Sequence, residues 1–422
     1  MEEPISVEQP IEPISYKPPT SGSTFAALRH RNFQLYFGGQ LISNVGTWMQ
    51  IIAQSWVVYQ LGHSEATLGW VAFASAIPIL IITPWAGVVV DHVSRRMLLV
   101  FTQAGAMLLA FILAALSFSG TVQAWHVIIL AALLGVVNAF DAPGRQAFVP
   151  EMVGKEDMPN AIALNSIMFN SARVLGPAMA GLLLAIIGPA WCFTLNGISF
   201  IAVILGLLWM DITPRAKPHI TDSPWKQLTD GVRYTLKSRE ISALILLALV
   251  FSFFGISYST ILPAFVEKIL GQGAMAYGWI NASSGLGAVT GAFLLAHRVS
   301  NGRRGKWMVW TNAIFPVILA AFAISSNYYL ALFFAFGLGV GFMINFTIIN
   351  TLLQTRVEDS FRGRVMGLYT ITFFGFAPFG NLLLGYLGQN IGLSISMAAF
   401  ALCSMLLAGV IIEKTPSLKL LP

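Results

Sequence analysis

Runs of roughly 20 apolar residues follow one another through this chain with short breaks between them, and that recurrence constrains its fold more than any motif does. A run of that length crosses a bilayer core as a helix, because in lipid each backbone N–H and C=O has to be bonded within the segment. The pattern predicts twelve spans, at about 33–60, 67–90, 97–119, 125–149, 160–187, 190–210, 241–266, 275–297, 307–325, 328–353, 364–388 and 393–412. Composition agrees. Only 10% of the 422 residues are charged, against about 25% in a soluble domain, which excludes a soluble globular protein. The expected fold class is an all-α membrane protein with twelve transmembrane helices.

Segments 1–28 and 413–422 flank the spans. The first holds Glu2, Glu3, Glu8 and Glu12, several prolines and no apolar core, and is expected to be a disordered tail rather than a signal peptide. An even number of spans puts both tails on one side. All of the 24 Lys and Arg residues except Arg173 and Lys268 fall in the tails, in the loops after spans two, four, six, eight and ten, or at their edges. By the positive-inside rule both termini are expected in the cytoplasm, and the net charge of +6 reports topology rather than a nucleic-acid partner. The long interior break, 211–240, carries Trp225, Leu228, Val232 and Leu236 at helical spacing and reads as a cytoplasmic linker with an amphipathic surface helix. It separates 29–210 from 241–412, and the two halves echo one another: Gln146, Glu156-Asp157 and Gly176-Pro177 recur as Gln354, Glu358-Asp359 and Ala377-Pro378. Two pseudo-symmetric six-helix bundles with a site between them near the midplane are expected.

The loop after span two reads Gly87-x-x-x-Asp91-His92-x-x-Arg95-Arg96 and resembles the loop signature of the major facilitator superfamily, with Ser94 where a glycine usually precedes the basic pair. The resemblance implies a gating loop: Gly87 lets helices approach, and Asp91 meets the start of span eleven, where Asp359 and Ser360 are expected to cap a helix. Arg95 and Arg96 read equally as topology anchors. The matching loop in the second half, from Ala296 to Lys306, keeps basic residues without an aspartate.

The strings NAFDAPGRQAFVPEM, NAIALNSIMFNSARVLGPAMAG and QTRVEDSFRGRVMGLY are similar to the enterobactin-exporter and macrolide-efflux branch of that superfamily, the transmembrane secretion effector family. That likeness covers nearly all of the chain after the first tail. It implies alternating access and the export of a siderophore or of a drug such as a macrolide. Within it, Ala172-x-x-x-Gly176-Pro177-x-x-Ala180-Gly181 is similar to the signature of drug and proton antiporters, whose proline bends the helix and whose small residues pack closely. Gly176 and Pro177 are expected to seal the side away from the termini; an ordinary packing kink is the other reading. The arginine that many such antiporters carry in span four is Ala131 here.

Ionisable residues inside the membrane cost about 2.5–3.5 kcal/mol at a helix centre, so each needs a reason. Asp141 lies ~13 Å from the inner end of span four and Arg173 ~20 Å into span five. The two are expected to pair, with Arg145, one turn from Asp141, as the competing partner and Asn138, Asn165 and Asn170 as further hydrogen-bond partners. Such a pair is either a strut or the device that couples transport to protons.

The superfamily likeness implies that spans one, four, seven and ten line the cavity. Asn44, Trp48 and Ile51 then share one face of span one, and Phe254, Tyr258 and Ile261 one of span seven, with Asn345, Phe346 and Asn350 on span ten. That surface suits a bulky, partly aromatic or lipophilic solute. The six histidines lie in tails, loops or helix ends, Cys192 and Cys403 suggest no disulfide framework, and no phosphate-binding P-loop occurs. Neither a metal nor a cofactor is expected, nor an enzyme. The expected protein is a monomeric exporter of the bacterial inner membrane, surrounded by lipid, moving a small molecule in exchange for protons. An uptake symporter of the same fold is the alternative.

Overall fold

In a computed structural model, residues 25–154, 156–212, 224–298 and 304–421 are described. The first bundle consists of α1 (Arg31–Gln60), α2 (Glu65–His92), α3 (Arg95–Phe118), α4 (Ala124–Val153), α5 (Met158–Ile186) and α6 (Pro189–Leu208). A surface helix, α7 (Pro224–Lys237), leads into α8 (Arg239–Val250) and α9 (Leu262–Lys268). The second bundle continues with α10 (Ala274–Arg298), α11 (Arg304–Ile324), α12 (Tyr328–Arg356), α13 (Asp359–Ile391) and α14 (Leu393–Lys414). The end of the molecule that carries Arg31, Arg95, Arg356 and Lys414 is called the terminal face below, and the end with the α1–α2 and α13–α14 turns the opposite face.

Among the described residues, 11 helical stretches are long and apolar enough to cross a membrane. The remaining span is α1. It is 30 residues long, yet Gln40, Ser43, Asn44, Thr47, Gln50 and Gln54 dilute its apolar character. These polar residues can be in a membrane because α1 is shielded by α5 and α6 and turns part of its surface to a cavity. Gly39 and Gly46 bring its backbone against Val203 and Asn196 of α6. The outward surface of the bundles is apolar, with Trp70, Phe101, Trp209, Phe293, Trp310 and Phe333 half or more exposed, as a lipid-facing surface requires.

The seventh span departs from the single helix expected over 241–266. It runs as α8, a π-helical turn at Phe251–Gly255, a 3-10 turn at Ser257–Ser259, and then α9. Ser252 within the break donates to the Phe373 carbonyl of α13. Interruptions of this kind mark functional positions in transporters.

Residues 1–24 of the expected tail lie outside the described residues. Its last part is ordered: Ala26–Arg29 form a 3-10 turn, and the Ala27 amide donates to Asn160 Oδ1 at 2.9 Å. The other tail is also built in, because Pro416–Leu420 form a 3-10 turn whose buried Leu418 lies against Gly305 of α11. The linker helix is present as α7; the side chains of Trp225 and Leu228 lie outside the described residues. Tyr234 stacks on Phe361 of α13 with ring centroids 4.5 Å apart and planes 14° from parallel, and Asp230 pairs with Arg364 at 3.4 Å. Leu236 stays 74% exposed on the same helix, which leaves an apolar edge for the membrane interface.

Candidate transport site

A cavity of about 410 Å³ opens between the bundles, within the roughly 300–1,000 Å³ range of small-molecule sites. From α1 it takes Asn44, Trp48 and Ile51, as expected, together with Gln50 and Gln54. Asn138, Asp141 and Arg145 of α4 close one side, and Thr260, Tyr277 and Asn281 bring in the second bundle. The lining is thus amide-rich and aromatic, with one ion pair set into it.

That pair is not the one expected from depth along the helices. Asp141 meets Arg145, four residues on along α4, and Arg173 stands elsewhere. The carboxylate is 1% exposed. Its Oδ1 accepts from Thr102 Oγ1 at 2.8 Å and from Gln103 Nε2 at 2.7 Å, both on α3, while Oδ2 faces the Arg145 guanidinium. Arg145 Nη1 in turn donates to Gln40 Oε1 of α1 at 2.7 Å. Three helices therefore converge on one buried charge pair at the cavity wall. Asn165 and Asn170 do not join it; Asn170 bonds its own helix at the Ser166 carbonyl.

Arg173 extends from α5 to the other bundle. Its guanidinium carbon lies 4.6 Å from the centroid of Phe342 on α12 and 5.9 Å from that of Trp48. Cation–π contacts of this kind recover about 0.5–2 kcal/mol, less than the insertion cost of the charge.

Of the other residues expected at the cavity, six stand apart from its lining, Phe254 and Ile261 of the seventh span among them. Tyr258 is 7% exposed in the broken seventh span and packs edge-on to Phe322. Asn345 is fully buried with neither amide atom bonded. Phe346 belongs to an aromatic cluster with Phe342, Phe373 and Tyr369. Asn350, about one turn nearer the terminal face than Phe346, accepts from Gln354 Nε2 at 2.7 Å.

The gating residues divide between the two faces. At the terminal face, Arg95 Nη1 donates to Glu151 Oε1 at 2.5 Å and to the Ala147 carbonyl at 3.2 Å, and Arg96 bonds the Leu208 carbonyl, so these contacts brace α3 against α4 and α6. Ser94 caps α3 by accepting from the Met97 amide. The side chains of Asp91 and Asp359 lie outside the described residues; α13 begins at Asp359 with Glu358 before it, so Ser360 is inside the helix rather than its cap. The close approach expected at Gly87 is absent, since a Cβ there would meet nothing within 4 Å.

The same helix is tight at its other end. A Cβ at Gly69 would lie 3.0 Å from Leu382 Cα of α13, and one at Gly375 of α13 would lie 2.6 Å from Leu80 of α2. Helices α2 and α13 touch toward the opposite face and separate toward Gly87. Helix α5 does the same work against α10. Gly176 packs on Trp48 and Val45 of α1, Pro177 is buried inside a helix that continues through it, and Gly181 meets Gly278 backbone to backbone.

A polar latch that was not expected crosses between bundles at the opposite face. Glu65, 2% exposed, accepts from Lys268 Nζ at 2.7 Å. Beside it, Gln60 donates to Glu267, His63 Nδ1 lies 3.4 Å from Glu267, and Ser64 donates to Gln389 at 2.9 Å. Lys268 was visible as an exception to the basic-residue pattern; its partner, 203 residues away, was not.

Comparison with known proteins points the same way. The family described as transmembrane secretion effector matches residues 22–420. The chain is 28% identical over 381 residues to the staphyloferrin A transporter of Staphylococcus aureus, covering 85% of this chain and 90% of that protein. It is 26% identical over 392 residues to the multidrug efflux pump Tap of Mycobacterium tuberculosis, covering 90% and 92%. Among solved structures, a bacterial homolog of the human lysosomal transporter Spinster in an inward-facing, unoccupied conformation gives a TM-score of 0.72 at 12% identity over 92% of this chain and 97% of that one. The D-xylose-proton symporter gives 0.69 at 14% identity over 93% and 98%. At such identities the likeness concerns the fold alone.

Proposed function

The chain belongs to the transmembrane secretion effector family of major facilitator transporters, and from that premise we propose that it exports a bulky, partly aromatic or lipophilic small molecule from the bacterial cytoplasm. It is a multi-pass membrane transporter and not an enzyme. The terminal face is cytoplasmic on the positive-inside pattern, which makes the present state inward-open. Tight packing of α2 on α13 at Gly69 and none at Gly87 is the observation that carries this reading. A solute would come from the cytoplasm between the splayed ends and settle in the cavity beside Asn44 and Trp48. The bundles would then rock about it, breaking the Glu65–Lys268 latch and opening the opposite face. Both bundles come from one chain, so a monomer suffices.

Exchange for protons is assigned to Asp141. Its carboxylate lines the cavity, and a proton taken there would free Arg145 from its counter-charge and loosen the junction of α1, α3 and α4. A siderophore or a drug such as a macrolide is the first candidate solute; of the relatives named above, one is a transporter of staphyloferrin A and the other a multidrug efflux pump. The test is accumulation in everted vesicles under an imposed proton gradient. Uptake of solute into everted vesicles, abolished when the gradient is collapsed, is expected. Gradient-driven accumulation in right-side-out vesicles instead would make the protein an importer.

A further inference from the structure

Arg173 takes part in neither the Asp141 cluster nor the Glu65–Lys268 latch. It lies ~22 Å along α5 from Met158, deep in a core ~30 Å thick and out of reach of headgroup phosphates. The side chain is half-buried. Among the described residues no carboxylate reaches it and its guanidinium donates no hydrogen bond; Asp141, the acid in the neighbouring helix, is already bound by Thr102, Gln103 and Arg145. Five N–H donors thus face only the rings of Phe342 and Trp48 and the nearby Tyr258 hydroxyl. Trp48 itself lines the cavity, and the guanidinium, outside that lining, lies 5.9 Å from the centroid of its ring.

Two stripes lead to it from the terminal face. On α5, Ser166 and Asn170 precede Arg173 at helical spacing; on α12, Phe346 and Asn350 follow Phe342 in the same way. Because Arg173 touches Phe342, the two stripes meet there across the bundle interface, one polar and the other partly aromatic.

We infer that Arg173 receives an anionic group of the transported solute, which is therefore an organic anion: a carboxylate or similar oxyanion on an apolar, ring-bearing body. The oxyanion accepts from the guanidinium fork, and the body lies on Trp48 and Phe342. Aromatic faces hold the cation only while that partner is missing. The inference rests on the export reading above and names the class of its solute.

The test measures equilibrium binding of 2-naphthoate and of neutral 2-naphthamide to the full-length protein in nanodiscs, corrected for empty nanodiscs. The native protein is expected to bind the acid at least about tenfold tighter than the amide. That ratio should fall to near one in Arg173→Gln and to an intermediate value in Arg173→Lys, each variant first shown to elute as a single species. A ratio near one in the native protein overturns the inference without any variant, and so does a tenfold ratio that survives in Arg173→Gln. Vesicle transport separates this from the export reading: a robust ratio with no gradient-driven movement of any solute leaves the anion site and removes export, whereas export of a neutral macrolide with a ratio near one does the reverse.

Discussion

Replacing Gly278 by alanine should tilt the transporter toward its outward-open state. A Cβ at that position would sit 2.5 Å from Gly181 Cα, 2.7 Å from Gly181 N and 2.7 Å from the Pro177 carbonyl oxygen. Ordinary contacts between such atoms are about 3.5–4.0 Å, so α5 and α10 would have to part by about 1 Å. The obstruction is backbone on both sides, which cannot swing away as a side chain would. Overpacking of this kind costs about 1–3 kcal/mol, or a shift of about 5- to 150-fold in the equilibrium, charged to the state in which this crossing is closed. The helix-propensity gain of alanine over glycine, about 1 kcal/mol, is present in both states and cancels. Spin labels at Leu61→Cys and Gln272→Cys, on a background with the exposed Cys403 replaced by serine, report the distance across the opposite face. Gly278→Ala should add a long-distance population. Gly409→Ala, where a Cβ meets nothing within 4 Å, is the control. Identical distance distributions in the two variants would refute the claim that the Gly181–Gly278 crossing sets closure.

Three further outcomes are expected. Asp141→Asn leaves Arg145 beside a neutral partner and should lower the thermal transition by about 2–3 kcal/mol, less than for a fully buried pair because 31% of the Arg145 side chain is exposed; the double variant with Arg145→Gln should recover part of the loss. If the single variant still responds normally to an imposed proton gradient, Asp141 is not the coupling group. Lys268→Ala strands the buried Glu65 and should remove about 1–3 kcal/mol from the latched state, seen as broadening between the same spin labels; an unchanged distribution would make the latch dispensable. Tyr234→Ala removes its stack on Phe361 and the hydroxyl that the Glu358 amide reaches, worth about 0.5–1.5 kcal/mol, so amide exchange in α7 should quicken by about 2- to 10-fold.

The spans were legible because lipid forces each to satisfy its own backbone, and the linker helix because its apolar residues repeat at helical spacing. On α1 the shared face of Asn44, Trp48 and Ile51 does line the cavity. The partner of Asp141 was also readable, in the i, i+4 spacing to Arg145; depth along two separate helices misdirected it to Arg173, because depth does not say which faces the helices turn toward each other. The same limit hid Thr102 and Gln103, whose only signal was polarity inside an apolar run. On the seventh span, Tyr258 was placed by continuing one helical face through a segment that changes from α to π to 3-10 winding, which rotates every later side chain. The latch escaped notice because a pairing between Glu65 and Lys268 is a property of the closed assembly and leaves no local pattern.

The polarity of α1 bears on how the protein is made. Taken alone, this helix partitions into lipid less readily than the others, and the groups that shelter it come late: Gly39 seats against Val203, Gly46 against Asn196, and Gly206 against Leu35. A nascent chain therefore carries its first span without its full shelter through the synthesis of four more, until α6 joins α5 against it. During that interval α1 depends on the insertion machinery or on a chaperone within the membrane, and truncation before α6 should expose the half-made bundle to quality-control proteolysis.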